Sequence, residues 1–421
     1  MSSSNKFNWS CVVLSAIVLC AAIPGISDPT SAQNINPVQQ QIPLPGSPFA
    51  AVTTADGRYV FVSMVITPTT GGVEVIRQRK NFATIKGIIS TCGSAHGMAM
   101  SKGGRYLLVT VQRGTSCPSD RTSDGVQFID VRKAIAGDSD AAMGTVRTDP
   151  SAIEVAISVD KGTGQNGIIF VANEFAGKKQ GDPDTVSAID FKQALAFASG
   201  KSPKPLVGTI PVDHAPVGLA VSADGRNLYV TNEKALSGEN SCEIAGNGCL
   251  PVMNPGPMGT LSVVDIHSGN VVADIPAGCS PTRVILTNND KVAWVSARDS
   301  DALLAFDTSK IINDPANALL STTPVGIEPD GAQPFFSKRL MAVANTNRFD
   351  MCVGAGGMVS ILNFDTALKS GGAAATVGTF DAGMFPRQWA ESPDHRLLYL
   401  TEFGSNTLAI FTVSSIVHQV Q

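Results

Sequence analysis

The stretch "HAPVGLAVSADGRNLYVTNE", His214 to Glu233, has two apolar runs, an Asp-Gly pair between them and the tetrapeptide YVTN near its end. Asp-Gly flanked by β-prone residues is the strongest short-range signal for a β-hairpin. The stretch reads as two antiparallel strands turning at Asp224-Gly225.

The same pattern returns along the chain. It appears as "SPFAAVTTADGRYVFVSMV", "SAHGMAMSKGGRYLLVTVQ", "DPSAIEVAISVDKGTGQNGIIFVANE", "SPTRVILTNNDKVAWVSAR", "EPDGAQPFFSKRLMAVANT" and "FPRQWAESPDHRLLYLTEF". A leading proline opens six of the seven copies, at Pro48, Pro150, Pro216, Pro281, Pro329 and Pro386, with Ala95 in the remaining one. The spacing averages roughly 56 residues, somewhat longer than the usual propeller-blade period of about 40–50. A third strand follows every copy ("TLSVVDI", "ALLAFDT") and a weaker fourth follows most ("VVADIPAG"). Four antiparallel strands repeated seven times predict an all-β, seven-bladed β-propeller. The last copy stops after its third strand, while "PVQQQIPLPG" (Pro37 to Gly46) precedes the first copy without a partner. That segment is expected to supply the outer strand of the last blade, closing the ring and covering an open edge. One domain is expected from about residue 36 to about 415, with blade starts near 48, 95, 150, 216, 281, 329 and 386.

Ahead of it, residues 1–32 read as a signal peptide. Lys6 precedes the apolar core "CVVLSAIVLCAAI" (Cys11 to Ile23), and "TSA" offers small residues for cleavage after Ala32. No other apolar run is long enough for a membrane helix, so the mature protein is expected in the periplasm or outside the cell, as a monomer without a membrane span. A net charge of −4 gives no electrostatic footprint for nucleic acid.

The pattern P-x-x-x-A-V-S-x-D-G-x-x-L-Y-V-T-N, Pro216 to Asn232, resembles the YVTN-repeat β-propellers over essentially the whole mature chain. These include bacterial surface-layer-type YVTN proteins and the seven-bladed lactonases similar to propeller-type 6-phosphogluconolactonases; haem d1-binding propellers are more distant in appearance. The resemblance implies the fold directly. For function it implies a binding or interaction module, with hydrolysis of a sugar lactone at the channel mouth as the alternative.

Six cysteines remain after signal removal, an even number in an exported chain, which suggests disulfides. All six fall on one face of the propeller. Cys242–Cys249 closes a short loop; Cys92–Cys117 and Cys279–Cys352 are the further pairs expected. The longest insertion, Lys234 to Gly259, lies on the same face, and a loop-rich, disulfide-stapled face is the expected binding surface.

Two sets of side chains are expected to ring the channel mouth on that face. The residue after the leading proline gives Phe49, His96, Ser151, Val217, Thr282, Asp330 and Arg387. The end of the second strand gives Gln112, Glu174, Glu233, Arg298, Asn345 and Glu402. His214 lies just upstream of its proline. The candidate ligand-binding residues are therefore His96, His214, Asp330, Arg387, Arg298, Glu174, Glu233 and Glu402. Such a ring suits a small polar or anionic ligand, or a protein partner. For hydrolysis, a Glu or His96 would serve as base and Arg387 or Arg298 would stabilise an oxyanion. G-x-S-x-G, H-E-x-x-H, Walker A and EF-hand patterns are missing, no cysteines have C-x-x-C spacing, and His totals five, so no metal or cofactor is expected.

Overall fold

The computed structural model describes residues 32–80, 82–114, 123–177, 179, 181–236, 258–337, 339–348 and 356–421. Seven antiparallel sheets form seven blades. In blade 4 the strands run in order His214–Val221, Asn227–Lys234, Met258–Asp265 and Asn270–Cys279, from the channel outward. Gln39–Pro43 pairs antiparallel with Thr407–Thr412 as the outermost strand of blade 7, so the two ends of the chain close the ring. Gln33–Asn34 adds a fifth, parallel strand to blade 6. Among the described residues no helix is long and apolar enough to cross a membrane. The proposed signal peptide lies outside the described residues but for Ala32.

The YVTN stretch shows how the frame is built. At its turn, Ser222 Oγ donates to Asp224 Oδ1 at 2.6 Å, Asp224 Oδ1 accepts from Arg226 N at 3.0 Å, and Gly225 takes φ +66°. Thr54, Asp56 and Gly57 repeat this in blade 1, as do Ser392, Asp394 and the left-handed His395 in blade 7. Leu228 and Val230 are fully buried between blades. Asn232 Nδ2 donates to Thr260 Oγ1 and Ser262 Oγ, bracing the second strand to the third. Thr231 Oγ1 donates to the carbonyl of Thr282, on the next blade's innermost strand, at 3.0 Å. Thr110 does the same to Ile153, Thr401 to Phe49 and Ser63 to His96. The hydroxyl of one blade therefore fixes the backbone of its neighbour at the residue facing the channel.

Short helices between third and fourth strands are capped by side chains. Asp130, Asp190, Asp307 and Asn363 accept from backbone N–H groups of the first turn.

The disulfide-stapled face expected from the sequence is not found. No disulfide joins two described residues; Cys117, Cys242, Cys249 and Cys352, and most of the Lys234–Gly259 insertion, lie outside them. Cys92 and Cys279 are not free thiols. What visibly braces this face is ionic: the guanidinium of Arg298 bridges Glu233 and Asp299 at 2.7 and 3.1 Å.

Candidate functional site at the channel mouth

Every innermost strand breaks its ladder just after the leading-proline position. The register shifts between Pro48 and Ala51, Ala95 and Met98, Ala152 and Glu154, Pro216 and Gly218, Pro281 and Arg283, Pro329 and Ala332, and Pro386 and Trp389. In blades 3 to 7 the residue just before that position is left-handed: Ser151, Ala215, Ser280, Glu328 and Phe385. A β-bulge leaves a residue unpaired and re-aims its side chain. Here the bulged residues are Phe49, His96, Ile153, Val217, Thr282, Asp330 and Arg387, and all seven line one cavity of about 220 Å³. Gln112 and Glu233, near the ends of their second strands, and Glu174, Arg298, Thr346 and Phe403, each just past the end of theirs, complete the wall with Arg283, Arg348 and Phe385.

Of the candidates, His96, Asp330, Arg387, Arg298, Glu174 and Glu233 thus converge on one cavity. The other two candidates, Glu402 and His214, do not reach it, and neither do Asn345 and Ser151 of the expected ring. Glu402 lies one residue short of the mouth; it pairs with Pro386 across the ladder and turns into the blade, accepting from Gly383 N at 2.7 Å and Thr407 Oγ1 at 2.5 Å. Asn345 is likewise one short and bonds Ser360. A one-residue step along a strand exchanges its faces, so Phe403 and Thr346 take these places. His214 stays outside, with Nδ1 3.7 Å from Asp184 Oδ2. In blade 3 the residue matching the leading proline is Ala152, paired with Asn173, and not Pro150; Ile153 therefore faces the channel where Ser151 was expected.

Beneath the mouth is a second tier that sequence reasoning missed. Glu154, Arg283 and Gln388 extend from blades 3, 5 and 7, while Gly97, Gly218 and Gly331 occupy the matching positions of blades 2, 4 and 6. Arg283 Nη1 donates to Glu154 Oε2 at 2.7 Å, its Nε donates to Asp330 Oδ1 at 3.0 Å, and Gln388 Nε2 donates to Glu154 Oε2 at 2.9 Å. A Cβ on Gly97 would lie 2.3 Å from Glu154 Oε1, so the glycine makes room for this cross-channel network. Burial opposes the charge on Arg283, but Asp330 and Glu154 outweigh it and hold its pKa above the ordinary value. The sequence signal was a charged residue inside otherwise apolar inner strands, "AIEVAI" and "TRVIL".

Arg387 is different. Its guanidinium lies 4.0 Å from the ring centre of Phe49, 5.1 Å from that of Phe385 and 5.8 Å from that of Phe403. Its nearest carboxylate oxygen, Asp330 Oδ2, is 3.5 Å away, and Nε is buried without a partner. The side chain makes no hydrogen bond among the described residues, although only 13 % of it is exposed. Burial, reinforced by Arg283 and Arg348 against the pull of Asp330, lowers its pKa to about 10. Glu174 is its counterpart. Its carboxyl makes no hydrogen bond among the described residues, and burial, with Glu233 nearby, lifts its pKa to about 7 against the surrounding arginines.

His96 is held neutral. Ser94 Oγ donates to the Gln112 carbonyl, so the 3.1 Å contact with His96 requires Nε2 to carry the proton, leaving Nδ1 a buried lone pair without a partner. Burial first, then Arg387 and Arg113, push its pKa down to about 3. Such an imidazole is a weak base at neutral pH, which removes one of the two bases expected for lactone hydrolysis. No group of three or more His, Cys, Asp or Glu suited to a metal occurs among the described residues.

No protein-family model matches the chain, and no curated protein matches it. Solved structures resemble it in shape. Hydrazine synthase of Kuenenia stuttgartiensis superposes with a TM-score of 0.62 at 15 % identity, over 88 % of this chain and 97 % of that one. The Cps50 (Swd1) β-propeller domain of Myceliophteria thermophila gives 0.60 at 13 % identity, over 89 % of this chain and all of that domain. At such identities the likeness shows the β-propeller fold alone.

Proposed function

We propose that the protein is a binding module that takes a small anionic ligand at the channel mouth. The observation that carries this is Arg387: a buried guanidinium, enclosed by three phenylalanines, with none of its donors in a hydrogen bond among the described residues. A buried cation without hydrogen bonds is costly, and an incoming anion supplies what is missing. The second tier spans the channel beneath the mouth, tying blade 3 to blades 5 and 7. A cavity of about 220 Å³ suits a ligand of metabolite size.

Export and kinship with YVTN-repeat propellers belong to the same proposal. Export rests on the Cys11–Ile23 apolar run, and kinship on Thr231 and Asn232, whose YVTN side chains each have a structural task in the ring. Titration calorimetry with acetate, benzoate and phosphate tests the binding. Arg387→Gln is expected to weaken anion binding about 10- to 150-fold, the worth of a charge-assisted hydrogen bond, with the circular dichroism spectrum unchanged. Equal affinity in wild type and variant would sink the assignment.

A further inference from the structure

We propose that the ligand is a small monocarboxylate and that it enters together with one proton, which is carried on Glu174. This rests on the anion-binding reading above and gives the site a ligand class and a pH response.

The geometry places two groups of opposite charge type, neither with a hydrogen bond among the described residues, in one cavity; Arg387 keeps an ion pair with Asp330 at 3.5 Å. Arg387 offers a planar fork with no hydrogen bond, the shape that a carboxylate meets with two parallel bonds. Glu174 offers a carboxyl with no hydrogen bond, on the wall formed by the second-strand ends. The remaining charges around it are already matched. Arg298 is taken by Glu233 and Asp299, and Arg283 by Glu154 and Asp330. Arg348 and Arg387 also face Glu174 and draw it toward ionisation, while Glu233 opposes it. His96, on the neighbouring blade, stays neutral and contributes no charge.

An anion arriving beside an ionised Glu174 meets a second negative charge in a closed space. Beside the protonated form it meets an O–H that can donate to it. Binding therefore draws a proton from solvent onto a Glu174 carboxyl oxygen, which then donates to the ligand carboxylate; no covalent bond changes. The burial that lifts this carboxyl to about 7 places the exchange near neutrality. A monoanion is favoured over a dianion because the mouth has one guanidinium without hydrogen bonds and one titrating acid. Phe49, Phe385, Ile153 and Val217 provide an apolar wall for the body of the ligand.

The test is calorimetry on the whole protein with benzoate, whose own charge is constant between pH 5.5 and 8.5. Each pH is run in two buffers of different ionisation heat. The expected result is constant affinity below about pH 6, a loss of about tenfold per pH unit above about pH 7, and proton uptake approaching one per ligand at pH 8. Glu174→Gln keeps the shape and a donor; it is expected to bind with wild-type low-pH affinity at every pH and to take up no proton. Benzoate binding that needs Arg387 but does not vary with pH, or proton uptake that persists in Glu174→Gln, would overturn the proton coupling and leave the anion site standing. Tighter binding of phosphate than of benzoate would overturn the ligand class. No binding of either at any pH would overturn the site itself, and the proposal with it.

Discussion

The two ends of the channel use charge in opposite ways. On the turn end, Asp56–Arg58, Asp224–Arg226 and Asp394–Arg396 repeat one local pair from blade to blade, two residues apart and open to water. On the mouth end charge follows no regular period. The bulge position carries charge only at Asp330 and Arg387, and the second-strand ends carry Glu174, Glu233 and Arg298 in three successive blades; these groups are mostly buried and interact across blades. Charge that recurs with the period of the fold belongs to the turn chemistry. Charge that breaks the period, and pays desolvation to be there, marks the place where the blades cooperate.

That contrast can be broken in four places. The largest effect is expected for Arg283→Met, which leaves Asp330 and Glu154 buried without their common cation; a loss of about 3–5 kcal/mol by urea unfolding is expected. A change below ~1 kcal/mol would show that the second tier is not a closed ionic network.

Next is the pH response of Glu174. Its folded pKa of about 7 lies above the ordinary 4.5, so the folded state binds more protons than the unfolded state in that window. Stability is therefore complete below 4.5 and declines as pH rises to about 7, by on the order of 3 kcal/mol. Glu174→Gln should remove that decline between pH 4.5 and 7 in thermal melts, and an unchanged profile would refute the shifted acid. His96 works in the reverse sense. With a folded pKa of about 3 it penalises the fold as pH falls below its ordinary 6.5.

Third, Thr231→Val keeps the volume but removes the donor to the buried Thr282 carbonyl, at an expected cost of about 1–3 kcal/mol. The smallest effect is at the turn end. Arg226→Ala removes a side chain that is 77 % exposed, and no measurable change in unfolding midpoint is expected. A substantial loss there would erase the distinction between the two ends.

The frame was legible because its signals are local. Prolines, Asp-Gly turns and β-prone runs repeat in phase, and the unpartnered Pro37–Gly46 segment marked the closure. The site was legible only where phase was unambiguous. Setting "YLTEF" beneath "YVTNE" aligns Phe403 with Glu233 and Glu402 with Asn232, and that single step separates a mouth residue from an internal brace. Pro150 misled because a proline two residues early mimics the leading position, while Ala152 is what pairs with the second strand. Glu154 and Arg283 were passed over because an amphipathic reading treats the strand interior as core. Their partnership joins blades 3 and 5, which no local pattern reports.

The bulge after each leading proline has a consequence for how such a molecule changes over time. The residue it displaces belongs to no rung of the ladder, so the ring is largely indifferent to what that residue is. Phenylalanine, histidine, isoleucine, valine, threonine, aspartate and arginine all occupy it here within one closed architecture. Recognition is thereby partly separated from foldability, least at Asp330, which accepts from the buried Arg283, and at Phe49, Ile153 and Val217, which also pack in the core. A single substitution at one of the others can rewrite what the channel accepts while the wheel that carries it stays the same.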